Sequence, residues 1–324
     1  MITPTKRTNP PKYYHYYLLH TKCTLHNSFK IVQTRTRAIL TVHIAFMSSL
    51  RRTDLLALSN LRNDGRKPNE IRRMTVQMSP LTNSSGTNGS ALVQMGLTSV
   101  LCAVVGPIEC ARRSDELTDR ALLEVNVRTA PFAPSSGDRR SANPSTDRRI
   151  IEQSSLIQNA LEASLMLHLF PKTRIILDIT VLADDGGRLC AAINAATCAL
   201  VDAGLPMKDL VCSCSAGLVT GTGTTADGLE DIELMDLNQK EISTYSNEAS
   251  AVYMPVATMP QRGTVVLAQC ESRLSSVDVF EKVLNAAMEG CQMVFNVMEA
   301  CIRERTSKLL AAKMGNASVK VNFI

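Results

Sequence analysis

The chain has 324 residues, 45% apolar and 20% charged, with a formal net charge of +5. This is a globular composition, long enough for one large domain or two small ones, and no apolar run reaches the roughly 18 residues of a membrane-crossing helix. The ten cysteines are scattered, with only Cys212 and Cys214 close together, which excludes zinc-finger spacing and a small disulfide scaffold and leaves thiols packed as small apolar side chains in a reducing compartment.

The positive charge is local. Residues 1–46 hold Lys6, Arg7, Lys12, Lys22, Lys30, Arg35 and Arg37 and no acid, so the rest carries 28 bases against 30 acids. This leader also holds four of the six tyrosines and four of the five histidines. Two readings fit it. An acid-poor, arginine-bearing segment suits a transit peptide; an extension ahead of a start at Met47 is favoured, because the chain beyond Met47 reads as a complete domain. Residues 1–46 are therefore expected to be disordered or not part of the working protein. The basic pI carries no argument for nucleic acid.

The elements run in chain order. Asp64-Gly65-Arg66 is a turn, and Pro68 holds residue 67 extended. "GSALVQMGLTSVLCAVVGP" reads as a hairpin about Met95-Gly96 that ends at Gly106-Pro107. Residues 133–147, rich in Ser, Pro and Asp, read as a mobile loop. From Arg149, apolar residues at three- and four-residue spacing give an amphipathic helix of about five turns, closed by Pro171. "RIILDITVL" is β-branched and apolar, hence a strand. Asp184-Asp185-Gly186-Gly187 leads into an alanine-dense helix over 188–203, which stops at Gly204. So many small residues suit a helix packed closely on a sheet. "DLVCSCSAGLVTG" is a strand, 221–234 an irregular Gly/Thr/acid insertion, and "MDLN" a short strand end. "YMPVATMP" and "TVVLAQC" resume strand character, and a long helix runs from Ser276 to about Lys313. The fold class is α+β, with mixed sheets packed against helices.

Three features carry chemistry. A helix N-terminus after Gly186-Gly187 exposes unsatisfied N–H groups and the positive end of its dipole, which suits an anion; plain turn geometry also accounts for the glycines. Arg148-Arg149 opens the first long helix, and a guanidinium fork suits phosphate. Between 112 and 149 stand eight arginines, no lysine and six acids, either a solvated charged face or a phosphate-contacting one. Asp236, at a strand end, has the carboxylate to hold magnesium or a structural role.

"DGRKPNEIRR", "GSALVQMGLTSVLCAVVGP", "DRALLEVNVRTAPF", "DRRIIEQSSLIQNALEASL" and "INAATCALVDAGLPMKDLVCSCSAG" run in register over about residues 60–300, and in this order they resemble the RNase PH family. The resemblance implies the RNase PH fold, two βαβ halves like ribosomal protein S5 domain 2, here 47–205 and 206–324 with the long C-terminal helix in the second. It also implies the setting of the RNA exosome: a ring of six such domains with RNA-binding cap subunits, a hydrolytic exosome nuclease, and single-stranded RNA in the channel. That assembly is nuclear, nucleolar and cytoplasmic, with no membrane. Active members are phosphorolytic: inorganic phosphate attacks the last 3′ linkage and releases a nucleoside diphosphate.

Carried over residue by residue, the resemblance makes Arg148, Arg149, Gly186 and Gly187 the phosphate-binding positions, with Arg188 beside them. An active loop continues Thr, Arg, Thr or Ser; this chain has Arg188, Leu189 and Cys190, so the clamping arginine position is Leu189. Asp236 matches the first metal Asp, now a vestigial metal and acid position. Six residues on stands Ile242, and Glu241 is one short. The resemblance thus implies a degenerate site with no metal and no cofactor, in a ring subunit without phosphorolytic activity of its own. Its RNA contacts are expected at Arg112, Arg113, Arg139 and Arg140. The alternative is an active phosphate-dependent 3′-to-5′ exoribonuclease using magnesium and inorganic phosphate, in which Arg188, Glu241 or Asp231 replaces the missing groups.

Overall fold

The computed structural model describes residues 61–62, 64–81, 86–110, 112, 116–133, 148–225, 228–245, 252–270, 274 and 276–313, all within one unit, Asn60–Ile324. For 219–225, 228–231 and 243–245 it describes the backbone alone. The expectations for residues 1–46, for the loop over 134–147, for Arg113, Arg139 and Arg140 and for the Asp231 side chain lie outside the described residues.

Strands β1 (Met74–Met78), β2 (Gly89–Met95), β3 (Thr98–Glu109), β4 (Leu122–Thr129) and β5 (Thr173–Ala183) form a five-stranded sheet in the order β1-β2-β3-β5-β4. β4 and β5 are parallel and are joined by helix α1 (Arg148–Ser164), a βαβ unit; the other neighbours are antiparallel. Helix α2 (Arg188–Asp202) leads to the second sheet, β6 (Cys212–Thr225), β7 (Gly228–Met235), β8 (Val252–Met259) and β9 (Thr264–Ala268), in the order β7-β6-β8-β9. β7 and β8 both run antiparallel to β6, so they are parallel to one another. Helix α3 (Gln239–Tyr245) links them in a second crossover. Helix α4 (Val277–Lys313) closes the chain.

The alanines explain α2. Leu189 through Leu200 are buried without a break, because the helix packs on β2 and β3 and also on β6. Its small side chains allow close approach: a Cβ on Gly89 of β2 would come 2.6 Å from Ala199 O. Two polar residues inside it are satisfied by strand ends. β7 pairs with β6 only from Ala216, and the open main chain of Ser213 is closed by Asn194, whose Nδ2 donates to Ser213 O (2.9 Å) and whose Oδ1 accepts from Ser213 N (2.8 Å). Thr197 Oγ1 donates to Val211 O (2.9 Å). Buried polar groups persist where such partners exist. α4 covers the other face of the second sheet, with Gly290 letting the helix close on Cys214: a Cβ there would lie 2.7 Å from its Sγ. Six of the thiols, Cys102, Cys190, Cys198, Cys212, Cys214 and Cys291, are buried, as expected for cysteine used as a small hydrophobe.

Three expectations are corrected. The region over 221–234 is a hairpin, not an irregular insertion: Gly223 pairs with Glu230, Thr224 with Leu229 and Thr225 with Gly228. A Gly/Thr run has no apolar alternation to announce a strand; backbone pairing makes it one. Helix α1 stops at Ser164 rather than running to Pro171, because Leu165 leaves it to bridge Met207. β3 does not end at Gly106-Pro107 but continues through a cis Gly106–Pro107 bond to Glu109, with a register shift against β5 at that point.

Candidate functional site

Two loops meet beside the start of α2, residues 184–187 after β5 and residues 236–238 after β7. Gln239 N–H donates to Asp185 O (2.8 Å). A Cβ on Gly186 would lie 2.6 Å from Gln239 N and 2.8 Å from the Asn238 carbonyl carbon. Gly186 (φ +88°) and Gly187 (φ +69°) both take the left-handed conformation that suits glycine. Asp184 Oδ1 accepts from Gly186 N–H (3.1 Å), and Thr98 Oγ1 accepts from Asp185 N–H (3.0 Å) and donates to Gly186 O (2.8 Å). Gly187 caps α2 without a side-chain hydrogen bond. The first helical bond back to it comes from Ala191 N. Arg188, Leu189 and Cys190 therefore present main-chain N–H groups at the positive end of the helix.

Asp236 closes this junction from below. It sits at φ +50° with 1% of its surface exposed. Its carboxylate accepts three bonds from Arg72: N–H to Oδ2 (2.9 Å), Nε to Oδ2 (3.0 Å) and Nη2 to Oδ1 (2.8 Å). The same guanidinium donates to Asp185 O and to Gly186 O (both 3.1 Å). Arg72 thus ties the glycine loop to Asp236; burial, the largest single influence, lowers its proton affinity, but the hydrogen bonds and charge of Asp236, with smaller contributions from Asp185 and Cys190, together outweigh it and leave the group raised. The main chain of Asp236 is equally engaged, its N–H donating to Ser215 O (2.7 Å) and its carbonyl accepting from Arg62 and Arg66 (both 3.2 Å).

Glu241 is committed in a second way. Asn238 Oδ1 accepts from Glu241 N–H (2.9 Å) and Glu241 Oε2 accepts from Asn238 N–H (3.0 Å), a reciprocal capping box at the start of α3. The buried Arg62 then donates Nε to Glu241 Oε1 (2.9 Å) and Nη2 to Oε2, and its Nη1 reaches Met235 O. Arg66 joins through Asp64 (3.2 Å), which also accepts from Asn238 Nδ2 (2.7 Å). Burial raises the Asp64 carboxyl, but these hydrogen bonds and the Arg66 and Arg62 charges outweigh it and hold the group below its ordinary value.

The residues singled out in the sequence divide between this junction and the surface. Arg188 lies at the mouth, 3.6 Å from Asp184 Oδ2, and its Nε and Nη2 donate to the Gln153 carboxamide oxygen (3.0 and 3.2 Å) in the amide orientation that satisfies both groups. Gln153 lies one turn after Arg149 on α1, so Arg149 shares the face directed at the α2 terminus. Arg148 and Arg149 are exposed, as is Arg112 beyond β3. Leu189, at the clamping position, is 8% exposed and part of the core. Sequence reasoning missed Arg62, Arg66 and Arg72 beyond their turn; the only signal was four arginines within "RNDGRKPNEIRR". It also missed Tyr253. On β8 this residue faces Gly217 of β6 and shares a sheet face with Ser215. Burial raises its phenol, and the hydroxyl lies near Cys190, Ser215 and Asp236.

The RNase PH domain, described as "3′ exoribonuclease family, domain 1", matches residues 70–206. The chain is 36% identical over 255 residues to the exosome complex component Rrp41 of Thermococcus kodakarensis, covering 79% of this chain and 93% of that protein. The chain belongs to the RNase PH family. It is also 34% identical to the exosome complex component ski6 of Schizosaccharomyces pombe (80% of this chain, 98% of that one) and 34% identical to the mouse exosome complex component RRP41 (79% and 96%). The crystal structure of rice Rrp46 superposes with a TM-score of 0.57 at 23% identity, covering 74% of this chain and all of that one, and so bears on the RNase PH fold alone.

The family's resemblance implied a metal held by two carboxylates. The residues here do not fit one. Asp236 spends both oxygens on Arg72, Glu241 spends its own on Arg62 and Asn238, and Ile242 has no ligand atom. Among the described residues no group of three or more His, Cys, Asp or Glu could hold an ion.

Proposed function

We propose that this RNase PH-family chain is a core ring subunit of an RNA exosome that supports 3′-to-5′ RNA processing and degradation by shaping the RNA channel, without phosphorolytic activity of its own. The observation that carries the second half is the engagement of both acidic groups, Asp236 by Arg72 and Glu241 by Arg62. Neither magnesium nor inorganic phosphate is then required. The names of its relatives support the first half. Its partners in this reading are other RNase PH-type subunits, RNA-binding cap subunits, single-stranded RNA and a hydrolytic nuclease served by the channel. The location that goes with them is nuclear, nucleolar and cytoplasmic.

RNA contact falls to the exposed arginines. Arg112, Arg148 and Arg149 offer guanidinium groups to phosphate, which positions a strand without reading its bases; Arg113, Arg139 and Arg140 extend the same proposal by sequence. The test uses the ring reconstituted with its unlike neighbours and single-stranded RNA, with and without inorganic phosphate. The expected result is no phosphate-dependent shortening and no nucleoside diphosphate. Nucleoside diphosphate release that is lost in Arg188→Ala would establish the active alternative instead.

A further inference from the structure

The start of α2 has the parts of an anion site, yet its interior is occupied by the chain itself. The N–H groups of Arg188, Leu189 and Cys190 have no acceptor among the described residues. Just inside them, Ser215 Oγ is fully buried and makes no hydrogen bond of ordinary length. A Cβ on Gly187 would stand 2.9 Å from Arg72 Nη2, 3.8 Å from Asp236 Oδ1 and 3.9 Å from Ser215 Oγ, so these four residues bound one small polar recess. Donors left open around a recess are what remains of a ligand site when no ligand enters.

Tyr253 shares a sheet face with Ser215, which bounds that recess. Its register opposite Gly217 puts it two pairs along from Ser215, a diagonal spacing an aromatic side chain can reach across. Its hydroxyl lies near Ser215 and within electrostatic reach of Cys190, Asp236 and Arg72. We propose that Tyr253 is a built-in plug: its ring fills the recess between Gly187 and Ser215 and keeps phosphate-sized anions away from the open N–H groups of α2. The proposal rests on the non-catalytic reading and deepens it, by making the loss of phosphate a matter of occupied space as well as absent side chains.

The test is titration of the full chain with inorganic phosphate, by calorimetry and by melting temperature, for the parent, Tyr253→Phe and Tyr253→Val. Valine keeps the β-branched preference of a strand and removes the ring; Tyr253→Ala serves if valine does not fold, with circular dichroism as the check. The expected result is phosphate binding at least about tenfold tighter in Tyr253→Val, about 1.4 kcal/mol, with the parent and Tyr253→Phe alike in binding poorly. Equal binding by parent and Tyr253→Val overturns the plug. So does Tyr253→Phe behaving like Tyr253→Val, because the hydroxyl rather than the ring would then be closing the site. The two readings fail separately. A Tyr253→Val chain that takes phosphate and leaves RNA intact keeps the non-catalytic reading, whereas a parent that degrades RNA with phosphate overturns that reading whatever Tyr253 does.

Discussion

Arg62 and Arg72 are 4% and 5% exposed; Arg148 and Arg149 lie open at the first turn of α1. The same side chain does opposite work in the two places. The buried pair is spent on Glu241, Asp236 and loop carbonyls, and its charge never reaches solvent. The surface pair is exposed, and in the proposed function it meets RNA phosphates with its planar forks. Arginine density alone therefore does not mark a binding face. What separates an anchor from a contact is whether the fold buries it against a carboxylate.

The comparison breaks most easily at Asp236. Asp236→Ala leaves the buried Arg72 charge unpaired, and removing one partner of such a pair costs about 3–5 kcal/mol. Chemical denaturation should show a loss of that order, and a loss below about 1 kcal/mol would mean that Arg72 is not held as described. Gly186→Ala comes next. A left-handed conformation costs a non-glycine residue about 1–3 kcal/mol, and the new Cβ also meets Gln239 N at 2.6 Å. Gly65 has a similar φ of +79° but open space around it, so Gly65→Ala should show only the strain. Equal losses at the two positions would remove the packing argument for the loop.

A smaller effect separates two carboxylates by sign. Burial, helped by the Asp64 and Asp184 charges, raises Asp185 above its ordinary 3.8 against the pull of Arg72 and Lys240. A raised acid binds more protons folded than unfolded, so it costs stability as pH climbs through the window above 3.8. Asp185→Asn should therefore gain stability near neutral pH and gain nothing below that window. Asp64, held below 3.8 by Arg66 and Asn238, lends stability that is lost as pH falls, so Asp64→Asn should cost stability near neutral pH. Urea melts at the two pH extremes check both signs. Last, the double variant Arg148→Ala and Arg149→Ala should change stability by no more than about 0.5 kcal/mol. It should weaken RNA binding for all sequences alike, lowering the salt slope by up to about two units. Unchanged RNA affinity at every salt concentration would make these arginines plain solvated charges.

Much of the frame was legible because local rules governed it. β-branched runs marked β5 and β8, and Gly204 marked the exit of α2 at φ +75°. The hairpin at β6 and β7 was hidden, since Gly and Thr leave no apolar period. The junction at Gly186-Gly187 was legible as a turn before a helix. The role of Asp236 was not, because its partner Arg72 is 164 positions away and no local pattern carries that distance. Tyr253 was hidden for the same reason: its neighbours come from β6, from α2 and from the loop after β7.

That distance has a consequence during synthesis. Residues 62 and 72 leave the ribosome long before 236 and 241, and at roughly 5–20 residues per second the interval is on the order of ten seconds or more. For all of that time Arg62 and Arg72 lack Glu241 and Asp236, the carboxylates that pair with them in the fold, and burying them without those partners would be costly. The first sheet can pair its strands in the interval, but the segment carrying these arginines must wait in water. Its docking then records that the chain has been made as far as α3, so a product stopped short of residue 236 keeps an undocked, cationic segment by which it differs from the finished protein.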